Sequence, residues 1–519
     1  MSRIKRYAHS LISGYVFLGA NMLYTLASVP LALHYLSKPE FGLWALTTQI
    51  AGYVMLIDLG MGSSTSRILI DYKDQQKSGE YGSVIQTSVL VGLSQCGLIL
   101  IAGIMLAFVI GPLLHIPGPL ERDFFWLVIG QCGITAVLFV TRVFLYLLTA
   151  HQRFDVGNYA GTISFAGNYG ILWWCFSHDL GVFSMLWAQA AGAVLTVLIN
   201  WWACHRLELF PRRGEWGRPT WEKFHELFAF GRDIFLFSVG SQFVNASQTL
   251  LLTRLVGLDA AAVWSVCTRT FNVLTQVIYR IFDFSSSALA EMMVRGERER
   301  LLQRFREIAQ LSANLAVAAG VMFAVCNGTF VRLWTAGKIG WLPLNDLLLA
   351  VWLLLCVGVR VHVGLVGQTK KFQFMRYLYF IEGACFIGLN LLMYRFGSIT
   401  TMLLISIACS LCFSFPYGLR RTRAYFGLSW SELARWHRET LILAMWTVPL
   451  AFLIWWLTRN LPDLPRLALE LVILGTWTTW MFLRHGLSAS LRAEAARRAP
   501  NWARPVLARI GFFKPESQN

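Results

Sequence analysis

Apolar runs long enough to cross a bilayer recur along nearly the whole chain, separated by short polar breaks. A hydrocarbon core of about 30 Å takes roughly 20 apolar residues per helical crossing. Runs of that kind lie at 11–36, 41–70, 84–110, 124–150, 157–176 and 181–204. A second set follows at 232–256, 260–293, 308–331, 344–366, 374–394 and 398–419, and a last pair at 441–457 and 466–483. The pattern predicts an all-α integral membrane protein of about 14 transmembrane helices.

Shifting the sequence by about 220 residues lays Leu36-Ser37-Lys38-Pro39-Glu40-Phe41-Gly42-Leu43-Trp44 over Val256-Gly257-Leu258-Asp259-Ala260-Ala261-Ala262-Val263-Trp264. Helix one then matches helix seven and helix two matches helix eight. The expected organisation is an N-terminal lobe of six helices (1–204) and a cytoplasmic linker (205–231). A second six-helix lobe (232–420), two additional helices (421–484) and a basic tail (485–519) complete it. Two-fold repeats of this kind let many transporters alternate a central site between the two membrane faces.

Polar residues inside these runs form stripes. In helix eight Arg269, Asn272, Gln276, Arg280, Asp283 and Ser287 are spaced three, four, four, three and four apart, which places all six on one helical face. Helix seven carries Ser238, Ser241, Asn245 and Gln248 at similar spacing, and helix one carries Asn21, Thr25 and Ser28. An arginine near the bilayer centre costs about 2.5–3.5 kcal/mol on insertion scales, so it persists only beside a partner or in a water-filled cavity. Arg269 and Arg360 are the deepest by position, and Arg142 lies nearer one end of helix four. Asp58, Arg280 and Asp283 come late in long helices, from which they could snorkel. Two readings compete for these groups: cations lining a cavity, or structural ion pairs with Glu382 as the partner for Arg269 or Arg360. For the amide and hydroxyl stripes the competing reading is hydrogen bonding between helices.

Composition agrees with the pattern: 56% of residues are apolar, 14% charged, and the mean hydropathy is +0.53. The formal charge of +17 would suggest nucleic acid in a soluble domain. Here the cations gather in alternate loops, such as Arg206 to Lys223, Arg295 to Arg306 and Arg420 to Arg423. That is the positive-inside bias, and it places both termini in the cytoplasm with no nucleic-acid partner. The start, with Arg3, Lys5 and Arg6 ahead of a long apolar run, reads as a retained first helix rather than a cleaved signal. The ten cysteines lie in apolar helices without metal-ligand or redox context, so neither a disulfide framework nor a metal site is expected.

Several segments together resemble the polysaccharide and oligosaccharide flippases (Wzx-like) of the multidrug/oligosaccharidyl-lipid/polysaccharide exporter superfamily. They are residues 35–44 followed by Leu56-Ile57-Asp58-Leu59-Gly60-Met61-Gly62 and Arg67, Gln152-Arg153-Phe154-Asp155, Phe228-Ala229-Phe230-Gly231, and Phe330-Val331-Arg332-Leu333-Trp334. The chain departs from the family pattern at Ala261-Ala262, the second-repeat counterpart of Phe41-Gly42, and at Asp283. The resemblance implies two pseudo-symmetric lobes around a central cavity, location in the inner membrane, and export of undecaprenyl-pyrophosphate-linked oligosaccharide repeat units by alternating access. It also implies coupling to a proton or sodium gradient, with no other cofactor.

A cavity with more fixed cations than anions attracts phosphate, and guanidinium binds phosphate oxygens bidentately at any physiological pH. The expected substrate residues are therefore Arg269, Arg360, Arg280 and Arg142, helped by Asn245, Gln248, Asn272 and Gln276. Asp58, Asp283 and Glu382 are candidates for ion coupling or ion pairing. Membrane lipids are expected partners, and a polysaccharide polymerase or export complex is a candidate one. A drug antiporter of the same superfamily, a lipid-linked peptidoglycan precursor as cargo, and a non-transporting scaffold are alternatives. A membrane glycosyltransferase or polymerase is disfavoured, because the outward loops are short and carry no convincing acid/base pair, so no catalytic residue is expected.

Overall fold

Every regular element is helical among the residues that the computed structural model describes, which are 3–72, 79–228, 239, 242–243, 247–369, 374–488 and 492. By compactness the chain divides into two units, Met1–Ser265 and Val266–Asn519.

The first unit opens with α1 (Arg3–Tyr35), α2 (Lys38–Val54), α3 (Met61–Tyr72) and α4 (Glu80–Leu114). It continues through α5 (Gly118–Thr141), α6 (Val143–Ala150), α7 (Phe154–Ser177), α8 (Phe183–Arg206), α9 (Ser247–Leu255) and α10 (Leu258–Cys267), the last of which runs into the second unit. The motif before α2 is a capping box. Ser37 accepts from the Glu40 amide at 3.4 Å and the Glu40 carboxylate accepts from the Ser37 amide at 2.8 Å, with Pro39 in the first turn.

The expected second helix is broken. A 3-10 turn at Met55–Asp58 ends on Leu59 and Gly60, with φ of 51° and 74°, and α3 restarts at Met61. Helix four is likewise interrupted, at Arg142. Inside a membrane a broken helix exposes backbone groups that must find partners in the protein. Gln95 of α4 supplies them, its Nε2 donating to the carbonyls of Ile57 (3.1 Å) and Asp58 (3.0 Å).

The two copies of the repeated segment meet within the first unit. A Cβ at Gly42 of α2 would lie 2.1 Å from the Leu258 carbonyl oxygen and 3.4 Å from the Ala262 amide of α10. The absence of a side chain at Gly42 is what lets the helices cross so closely. This packing places α9 and most of α10 with the first unit, whereas the sequence-drawn lobes at 1–204 and 232–420 follow the repeat, a different division. Residues 205–228 are also part of the first unit. Lys223 Nζ lies 2.9 Å from Glu80 and 3.8 Å from the centre of the Tyr72 ring, Ser83 donates to the Arg218 carbonyl at 2.6 Å, and Leu227 is buried. Burial works against the Lys223 charge, but the Tyr72 and Glu80 contacts outweigh it and hold its pKa above the usual lysine value.

The second unit comprises α11 (Arg269–Val294), α12 (Arg298–Trp334), α13 (Pro343–Gln368), α14 (Met375–Leu392), α15 (Ile399–Cys412) and α16 (Ser414–Phe426). A short α17 (Trp430–Trp436), which the hydropathy pattern does not predict, precedes α18 (Arg438–Thr458) and α19 (Asp463–Met481). The 37-residue α12 is the axis of this unit, with Phe305, Ala316, Phe323 and Val331 among its buried residues. The last pair packs on it through Val317, Val321, Val325, Leu443, Ile454 and Leu474. At one end Arg332 pairs with Asp463 at 2.7 Å, and the buried Arg466 and Glu470 pair at 2.8 Å.

Helix eight is broken as helix two is, at Thr268 between α10 and α11. Here Asn327 of α12 donates to the freed Cys267 carbonyl at 3.1 Å and to Asp346 at 2.7 Å. An amide side chain from the following long helix thus holds the break in both halves of the repeat.

Among the described residues nine helices are long and apolar enough to cross a membrane, and two shorter apolar ones accompany them. The expectation of about 14 crossings is not reached by that measure, for identifiable reasons. Helices two and eight are split by their breaks, helix seven lies largely outside the described residues, and α7 carries Asn158, Thr162, Ser164 and Asn168 within its length. The chain is a multi-pass membrane protein. All ten cysteines are free.

Candidate functional site

The stripe predicted in helix eight is the open face of α11. At 100° per residue Arg269, Asn272, Gln276, Arg280 and Asp283 fall within an arc of about 80°. Arg269, Asn272, Gln276 and Arg280 are exposed and Asp283 is half-buried. The opposite side of the same helix, Phe271, Ile278, Phe282 and Leu289, is buried. A guanidinium facing lipid would cost about 2.5–3.5 kcal/mol, which favours water or a polar partner over hydrocarbon on this face; the exposed Val277 and Phe284 lie beside it on the same helix. Arg280 stands near the middle of α11 and has no carboxylate within 4 Å among the described residues, whereas Arg269 is the first residue of the helix. Ser287 lies on a stretch whose side chain is outside the described residues.

Arg360 of α13 is not paired with Glu382. Its Nη2 lies 2.5 Å and its Nε 3.1 Å from Asp283 Oδ1, and its guanidinium sits 5.5 Å from the centre of the Tyr279 ring. Asp283 is one turn beyond Tyr279 on α11, so a carboxylate and an aromatic face receive the cation together. The pair keeps 41% and 30% side-chain exposure, so the guanidinium is not sealed in the core.

Glu382 of α14 is buried instead among hydroxyls. Its Oε1 accepts from Ser410 at 3.2 Å and Ser414 at 3.1 Å, and its Oε2 is buried with no hydrogen-bond partner among the described residues. The two serines flank the α15/α16 break, where Phe413 leaves helical geometry.

In the first unit Arg142, expected to line the cavity, is bound to protein. It pairs with Asp58, donates to Gln95 Oε1 at 2.6 Å, and stacks 4.4 Å from the centre of the Phe139 ring. The Asp58 carboxylate also caps α3 by accepting from the Gly62 amide at 3.1 Å. Asp58 therefore does not snorkel; it closes the break in helix two. Gln248 is buried, with Nε2 unpartnered among the described residues, and is not on an open face. Asn245, with Ser238 and Ser241, lies outside the described residues.

Gln95 and Asn327 were not among the expected residues. Each is a lone amide in an apolar helix, and the available signal was its position one helix beyond a helix containing a break. No group of three His, Cys, Asp or Glu side chains able to hold a metal converges among the described residues.

The chain has the fold of an inward-facing multidrug resistance MATE family transporter of the MOP superfamily, at 14% identity over 80% of this chain and 99% of that one, with a TM-score of 0.59. It is also similar to the lipid II flippase MurJ in its inward closed conformation, at 12% identity over 93% of this chain and 99% of that one, TM-score 0.61. A third similar structure, a MOP superfamily transporter from Pyrococcus furiosus described as having a binding pocket of reverse polarity, shares 15% identity over 82% of this chain and 97% of that one, TM-score 0.55. No curated protein matches the sequence. The fold is that of transporters rather than of membrane enzymes. A family model described as polysaccharide biosynthesis protein matches residues 34–338, more than half of the sequence. The chain therefore belongs to the polysaccharide biosynthesis protein family and has the fold of the MOP superfamily.

Proposed function

We propose that the protein is a flippase for lipid-pyrophosphate-linked oligosaccharide repeat units, carrying them from the cytoplasmic to the periplasmic leaflet of the inner membrane by alternating access. The observation that carries this reading is the open face of α11, where Arg269, Asn272, Gln276 and Arg280 are exposed although the helix belongs to a membrane bundle. A permanently charged guanidinium with amides at the same helical level suits a pyrophosphate followed by sugar hydroxyls. Arg280 is the central contact in this reading. Arg360 contributes its exposed edge while Asp283 orients it, and Arg142 is a structural cation. The lipid tail stays in the bilayer, and no bond in the substrate changes.

Coupling to a proton or sodium gradient would fall to Glu382, whose buried, half-satisfied carboxylate sits at the α15/α16 break. A lipid-linked peptidoglycan precursor presents the same pyrophosphate, and the polysaccharide family favours the oligosaccharide over it.

The test is deletion of the gene followed by extraction of lipid-linked intermediates. Complete repeat units should accumulate facing the cytoplasm. Arg280→Glu should fail to restore surface polymer at normal protein levels, and Arg280→Lys should restore it in part. Normal surface polymer in the deletion strain, or full complementation by Arg280→Glu, would reject the assignment.

A further inference from the structure

At one end of the second unit some arginines are neutralised by carboxylates and others are not. Arg295, Arg300 and Arg304 are neutralised by Glu291, Glu297 and Glu307, at 2.5, 3.0 and 2.9 Å. Arg298 and Arg423 have no carboxylate within 4 Å among the described residues, and both are exposed. Both are drawn to the last turn of α16 and the short loop that follows it. Arg298 Nη2 donates to the Tyr425 carbonyl at 3.0 Å, and Arg423 Nε donates to the Leu428 carbonyl at 3.1 Å. A guanidinium carries five N–H donors, so each keeps most of them unspent.

The loop has a defined turn at one end and a capped helix start at the other. Gly427 turns it with φ of 72°, and Ser429 and Glu432 form a capping box that starts α17. Leu433 and Trp436 are buried against Phe305 and Phe426. Trp430 is 47% exposed, and the Arg423 guanidinium stands 4.9 Å from the centre of its ring. The segment lies between two membrane-crossing helices, the one ending at Phe426 and the one beginning at Arg438, which puts it at the boundary of water and hydrocarbon. Exposed tryptophan beside arginine is the composition that this boundary selects.

We infer that Arg298, Arg423 and Trp430 form a fixed binding site for the phosphate headgroup of an anionic phospholipid in the adjoining leaflet. The two guanidiniums hold the phosphate oxygens and the indole lies against the glycerol region. The occupant is a lipid and not free phosphate, because the site opens beside Trp430 and Tyr425 at the hydrocarbon edge rather than into a closed polar hollow. It is separate from the α11 face and needs no assumption about the transported substrate.

The experiment is native mass spectrometry of the full chain purified in mild detergent with equal amounts of phosphatidylglycerol and phosphatidylcholine. The parent protein should retain phosphatidylglycerol preferentially. Arg298→Gln and Arg423→Gln should each lower that retention about fivefold, the equivalent of ~1 kcal/mol for one arginine near a membrane surface. Arg300→Gln removes the same charge from the same end, but from an arginine that Glu297 already neutralises, and should leave retention unchanged. Equal loss in Arg300→Gln would show diffuse charge attraction and overturn the site. Displacement of the lipid by millimolar inorganic phosphate would overturn the headgroup assignment, as would equal retention of the two lipids by the parent. Unchanged melting temperatures establish that the variants are folded.

Discussion

Arg142 and Asp58 meet where helices two and four are both interrupted, and each removes a debt the other would leave: an uncompensated charge on one side, an uncapped helix start on the other. Breaking such a pair strands a largely desolvated charge, which costs about 3–5 kcal/mol for a fully buried one. With 18% and 26% of the side chains still exposed, a loss of about 2 kcal/mol is expected for Arg142→Gln or Asp58→Asn alone. The double variant should recover most of it, because two neutral amides can still bridge. Unfolding midpoints in detergent for the three variants test this, and strictly additive losses would contradict the pairing. Arg280→Gln should behave in the opposite way, with stability within about 0.5 kcal/mol of the parent and export strongly reduced. Along the sequence both arginines are candidates for lining the same cavity. Only their neighbours separate a structural cation from one left open.

At the scale of elements, the contact of α2 with α10 depends on a single missing methyl group. Gly42→Ala would place Cβ 2.1 Å from the backbone oxygen of Leu258, and a backbone atom inside a helix cannot rotate away as a side-chain end can. Overpacking of this kind costs about 1–3 kcal/mol, so lower expression and a lower melting temperature are expected. Gly97→Ala in α4 is the matched comparison. Nothing lies within 4 Å of its Cβ position, so that change should be neutral or stabilising by up to about 1 kcal/mol. The breaks at residues 55–60 and 268 belong to this scale too. Asn327→Leu would leave the Cys267 carbonyl and Asp346 short of a donor, and a loss of about 1–3 kcal/mol should appear as a lower unfolding midpoint.

For the whole molecule, the distribution of basic loops predicts the direction of insertion. A fluorescent protein placed in the loop at Gly296 should fluoresce in the cytoplasm, and alkaline phosphatase fused after Ile116 or Gly340 should be active outside it. The reverse pattern would invert the proposed direction of transport as well. Helices α18 and α19 travel with the second unit, since their apolar contacts and the Arg332–Asp463 pair both fasten them to α12.

The sequence by itself determined that this chain resides in lipid and where most of its long apolar helices run. Those properties follow from local hydropathy and from spacing along one helix, as the stripe from Arg269 to Asp283 demonstrates. The boundaries of α4 and α13 also lie within a few residues of the apolar runs that predicted them. What only the tertiary structure decided was partnership. Asp283 rather than Glu382 neutralises Arg360, Asp58 holds Arg142 at a break, and Gln95 and Asn327 satisfy carbonyls that no hydropathy pattern reveals as free. The physical reason is that a charge or an amide in an apolar helix is allowed by any nearby partner. Whether that partner is water, a carboxylate or a broken backbone depends on residues distant in sequence that folding brings together.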